Sequence, residues 1–120
     1  MNSYPITKLT CVSNLWVRMM HFQKAGDCNE GHEHNYDHIT LLSKGSVEVD
    51  VNGQKTIFKA PHLIYIAKGK AHYITALEDD TIASCIHALR TGEREEDILD
   101  PDQVPAGILL DQIGILTQSL

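Results

Sequence analysis

His32 and His34 flank a single residue, Glu33, a spacing that could chelate a metal ion. On a β-strand, residues i and i+2 project to the same face, so two imidazoles would stand side by side before any tertiary contact forms. His38 follows beyond Asn35-Tyr36-Asp37, where a turn or bend could bring it back onto the same centre. Imidazole nitrogens suit divalent transition metals such as Fe, Mn, Ni and Zn. A centre held by histidines alone keeps coordination positions open, as catalytic and ligand-accepting sites do. Spacing alone does not separate this chelate from solvated histidines lying beside Glu30, Glu33 and Asp37.

Four further histidines complete the set. His87 sits in Ile82-Ala-Ser-Cys-Ile-His-Ala88 and shares strand parity with Ala83 and Cys85. It could point inward as a hydrogen-bonding or acid/base group near a metal, or equally be satisfied within a core or face solvent. Tyr36 and Tyr73 neighbour histidines and could hydrogen-bond a substrate, although aromatic packing is the commoner fate. His72 stands three residues after Gly69, His62 follows Pro61 in a turn, and His21 precedes Phe22 with no assigned role. Cys11, Cys28 and Cys85 are odd in number and widely spaced, which argues against a disulfide framework or a Cys-x-x-Cys metal site. Trp16, Met19, Met20 and Phe22 read as core or subunit interface.

Composition narrows the field. A chain of 120 residues with 42% hydrophobic and 22% charged residues suits one globular domain, 1–120. The net charge of −6 offers no basic patch for phosphates, so no nucleic-acid partner is expected. No signal-like N-terminus and no membrane-length apolar run is visible, which leads to the expectation of a soluble cytoplasmic protein.

The elements that must position the histidines are short β-strands. Val47, Val49 and Val51 alternate with Glu48 and Asp50, and Asn52-Gly53 separates them from Gln54-Lys-Thr-Ile-Phe58. Asn-Gly between alternating runs is a strong hairpin signal, because both central residues of a type I′ turn need positive φ. Ile39–Leu42, Leu63–Ile66, His72–Leu77 and Thr81–Leu89 repeat the style, each bounded by Gly, Lys or acidic turn residues. Turns this frequent indicate a sandwich or small barrel rather than βαβ units. Beyond Arg90 the chain turns acidic, and Pro101 and Pro105 break any long helix. Leu109, Ile113, Leu116 and Leu120 then fit a short amphipathic helix, with an added edge strand as the alternative.

Residues 26–45, GDCNEGHEHNYDHITLLSKG, resemble the first signature of the cupin superfamily. Gly26, His32, His34 and Gly45 fall at the family's intervals, with His38 where the family usually has Glu. The second signature is matched partly by PHLIYIAKGKAHYITA. Gly69 and His72 fit, whereas Pro61, Ala67 and Ala76 replace the family's Gly, Pro and Asn. The resemblance covers about residues 20–90 and leaves 91–120 as a C-terminal extension. It implies an all-β fold, a small double-stranded β-helix or jelly-roll barrel with one divalent metal inside. His32, His34 and His72 would carry over as ligands by residue type, and His38 by position only. A neutral imidazole in place of a carboxylate removes one negative charge and makes the centre a stronger Lewis acid.

The activity so implied is that of an enzyme acting on a small organic molecule. An Fe(II) dioxygenase-type reaction and a Lewis-acid isomerase or lyase step both remain open, with His87 and Tyr36 as catalytic candidates. The alternative is a metal-bearing sensor or storage module without turnover. A homodimer is expected, since small barrels often pair.

Overall fold

Alternation governs almost every segment, and the chain folds accordingly into strands buried on one side. The computed structural model describes residues 4–12, 14–30, 38–67, 69 and 71–88. Among them lie nine strands: β1 Ile6–Val12, β2 Leu15–Phe22, β3 Cys28–Glu30, β4 His38–Lys44, β5 Ser46–Val51, β6 Gln54–Lys59, β7 His62–Ile66, β8 His72–Ala76 and β9 Thr81–Ala88. The strands begin at Ile6, so the barrel takes in β1 and most of β2 upstream of the stretch that resembles the cupin signatures. The C-terminal extension, with its expected amphipathic helix, lies outside the described residues. Among the described residues no helix is long and apolar enough to cross a membrane.

Two antiparallel sheets form the body. One has the order β1-β2-β9-β4-β7 and the other β3-β8-β5-β6. The second is built around the expected hairpin: β5 pairs with β6 from Ser46–Lys59 to Val51–Gln54. Asn52 and Gly53 have φ of 51° and 86°, the left-handed pair a type I′ turn requires. Asp50 Oδ1 accepts a hydrogen bond from the Gly53 amide at 2.9 Å and ties the turn to its strand.

Period-two burial sets the inner faces. Trp16, Arg18, Met20 and Phe22 turn inward from β2, and Thr81, Ala83, Cys85 and His87 from β9. From the other sheet come Val47 and Val49 of β5 and His72, Ile74 and Ala76 of β8. The apolar end of the interior is packed by Met20, Phe22, Leu42, Val47 and Ala83, none with any exposure. The sequence reading of Trp16, Met20 and Phe22 as core holds, while Met19 lies on the opposite face of the same strand.

The link from β4 to β5 passes through Gly45 at φ 84°. A Cβ there would stand 2.9 Å from Thr81 Cβ and 3.0 Å from its Cα, closer than real side chains approach. Backbone strain and collision therefore add at this one position. Gly45→Ala is expected to destabilise the fold by about 2–4 kcal/mol. The shift in the urea unfolding midpoint at constant m-value measures it.

Candidate metal and ligand site

The buried histidines of the interior lie toward one end of the barrel, whereas Asp27, Ser46 and Thr81 are buried at the other. His38 opens β4 and is buried because its parity matches that of Thr40 and Leu42. His72 opens β8 and is 1% exposed, in phase with Ile74 and Ala76. The two histidines come from different sheets, and their ring centroids lie 5.5 Å apart with planes tilted by 51°.

Cross-strand register brings two more side chains level with them. Trp16 of β2 stands directly opposite His87 of β9. β9 pairs with β4 at Ile86–Ile39, and one step further in the same register sets His87 beside His38. His38 in turn faces Ile66 of β7. One transverse row of the five-stranded sheet thus reads Trp16, His87, His38, Ile66, with His72 approaching from the facing sheet. The next row holds Arg18, Cys85, Thr40 and Ile64. Thr40 Oγ1 and Cys85 Sγ lie 3.5 Å apart within it.

The donor chemistry fits a metal ion as far as these residues reach. His38 and His72 would each offer an imidazole nitrogen, a ligand suited to a divalent transition metal. Two imidazoles are only half a site. No group of three His, Cys, Asp or Glu side chains able to hold a metal occurs among the described residues. His32, His34 and Tyr36 lie outside those residues, so the structure brings together His38, His72 and His87 of the predicted set.

The remaining sequence candidates fall elsewhere. Tyr73 follows His72 on the strand and is therefore turned outward and exposed. Cys28 is opposite in parity to the buried Asn29, and its Sγ accepts a 3.5 Å hydrogen bond from Thr75 Oγ1. That placement turns its thiol away from His72. Cys28 and Cys85 are both free thiols. His62 is exposed beside Phe58. His21 meets Asp80 at 3.1 Å on the surface, beside the turn that precedes β9. Among the buried polar residues that sequence reasoning did not single out are Arg18, Asp27 and Asn29. For Arg18 the signal is parity: it stands in phase with Trp16, Met20 and Phe22 and must share their face.

Comparison with solved structures places this architecture. The protein superposes on a cupin superfamily protein from Desulfitobacterium hafniense with a TM-score of 0.64 at 14% identity, over 75% of this chain and 82% of that one. An RmlC-like cupin with a double-stranded β-helix fold from Methanocaldococcus jannaschii gives 0.63 at 12% identity, over 72% and 81%. The fold is that of the cupins. KdgF from Halomonas sp. gives 0.62 at 19% identity, over 77% of this chain and 97% of that one. No family model matches the sequence, and no curated protein matches it either. At these identities the similarity is one of fold.

Proposed function

We propose that this cupin holds one divalent transition metal through His32, His34, His38 and His72 and acts on a small organic molecule beside it. The observation that carries this reading is the approach of His38 and His72 from opposite sheets to a ring separation of 5.5 Å in a buried setting. Two buried imidazoles brought together from facing sheets would supply part of a metal's ligand set from the rigid part of the barrel. His32 and His34 supply the i, i+2 pair from the segment just before β4. When bound, the metal would act as a Lewis acid or redox centre for the reacting group.

The chain's own residues would do the rest. His87, adjacent to His38 in the same sheet row, would accept or return a proton at a ring nitrogen facing the interior. Trp16 opposite it closes the end of the row with an apolar wall that excludes water. Tyr36 would add a phenolic hydroxyl from the segment that carries His32 and His34. The second reading is a module that retains its ligand without turnover. It is favoured by the near-complete burial of His38, His72 and His87.

Elemental analysis of untagged protein, as purified, tests the centre. One equivalent of a single transition metal is expected, lost in His32→Ala and much reduced in His38→Ala. Full occupancy in His38→Ala would remove that residue from the ligand set, and full occupancy in His32→Ala would move the site altogether.

A further inference from the structure

The buried donors on the inward face of β2 are left without acceptors, and they share one chemical character. Trp16 Nε1 and Arg18 Nε are shut off from solvent and have no hydrogen-bond partner among the described residues. Neither group can act as an acceptor, whatever its orientation. Asn29 adds its amide nitrogen, equally buried and equally unmatched, from β3 on the facing sheet. The ion pairs His21–Asp80, Lys24–Asp79 and Lys55–Glu48 do not involve Arg18.

A buried guanidinium without a counter-charge is costly, and folded proteins rarely keep one unless something else answers it. Indole and amide N–H groups buried without acceptors add to the same imbalance. Among the described residues these three donors have no acceptor oxygen, Arg18 standing in the row next to His87 and His38, and the buried carboxylate Asp27 accepts the Lys24 amide at 3.2 Å. A guanidinium presents its donors as a planar fork that matches a carboxylate oxygen for oxygen, which a point-charge anion does not.

From this we infer that Arg18, with Trp16 Nε1 and Asn29 Nδ2, forms a carboxylate-binding subsite inside the barrel, and that the protein's ligand is a small organic carboxylate. This rests on the reading that the barrel interior takes a small organic molecule. It deepens that reading by naming the group the molecule must carry. The carboxylate would be held at the Arg18 row, leaving the rest of the molecule directed at the histidine row above. Arg18 is thus a ligand-positioning residue, and its energetic signature is the reverse of a structural one.

The chain supplies its own reporter, because Trp16 is the only tryptophan and lies within the proposed subsite. The full-length protein is titrated with oxalate, pyruvate and benzoate and with the matched neutral amides oxamide, pyruvamide and benzamide, following Trp16 emission. Each titration is run with and without chelator. At least one carboxylate is expected to shift the emission and raise the melting temperature at concentrations where its amide does neither. Arg18→Met is expected to weaken that response about thirtyfold or more. The same variant, free of ligand, is expected to melt at or above the parent temperature, because a buried unpaired charge has been replaced by a hydrophobe.

The inference is overturned by amides binding as well as carboxylates, by chloride or phosphate, titrated alongside, matching them, or by no response from any carboxylate at millimolar concentration. An Arg18→Met protein that unfolds or melts well below the parent also overturns it, since Arg18 would then be structural. A carboxylate response that persists in chelator while purified protein holds no metal would sink the metal reading and leave the subsite standing.

Discussion

A His72→Ala protein is expected to lose the stabilisation that metal gives the parent. An ion present at about a thousand times its dissociation constant stabilises a fold by about 4 kcal/mol. For a domain of this size that corresponds to roughly 10–20 °C in melting temperature. His72 is almost wholly buried and stands against His38, so its removal leaves at most one of the two described imidazoles in place. Loss of a ligand is expected to weaken binding by at least about a hundredfold, which erases most of the metal-dependent shift. The substitution also opens a cavity, and that cost must not be mistaken for lost metal. Melting each protein with and without chelator isolates the effect, since the cavity term is common to both runs. An unchanged metal-dependent shift in His72→Ala would exclude His72 from the centre.

Phe22→Ala is expected to produce the largest loss of stability among single core substitutions, about 3–5 kcal/mol. Phe22 has no exposure and pairs across β2 and β9 with Thr81, whose side chain also abuts Gly45. Truncation there opens a void where two strands and a tight connection converge, leaving little room for collapse. Against a typical total of 5–15 kcal/mol, the loss is a large fraction of what keeps the barrel folded. Phe22 sits at the apolar end, three alternate positions along β2 from Trp16, so the folded fraction should still take up metal with parental affinity. Urea unfolding gives the first quantity and metal titration under folding conditions gives the second. Weakened metal affinity in folded Phe22→Ala would mean that the two ends of the interior are coupled.

Much of this architecture was legible in the residues, for reasons that are local. The Asn52-Gly53 hairpin follows from the backbone preference of two residues and the alternation of six around them. The inward face of β9 follows from parity, and His87, left open in the sequence between the interior and solvent, is buried in phase with Ala83 and Cys85. What could not be read was which strands are neighbours. β9 lies between β2 and β4, and nothing near Thr81 or Ala88 specifies those partners, because the pairing is decided by packing between residues distant in sequence. By the same limit, the approach of His38 to His72 could be expected from the resemblance but not from spacing, since it belongs to the gap between sheets. Arg18 escaped notice because charged residues on strands normally mark the wet face. Here it stands among Trp16, Met20 and Phe22, and parity outweighed the habit of its residue type.

The position of β9 has a kinetic consequence as well. It is the last strand among the described residues, yet it occupies the middle of the five-stranded sheet and carries the residue between Trp16 and His38. Neither β2 nor β4 can complete its ladder until β9 arrives, and pairings between distant segments form slowly because loop closure must precede them. The polar row is therefore assembled by the closing event of the sheet rather than by any early hairpin. Until that moment the chain lacks the row that sets His87 beside His38. Thereafter, opening that row along β9 would mean breaking both central ladders at once.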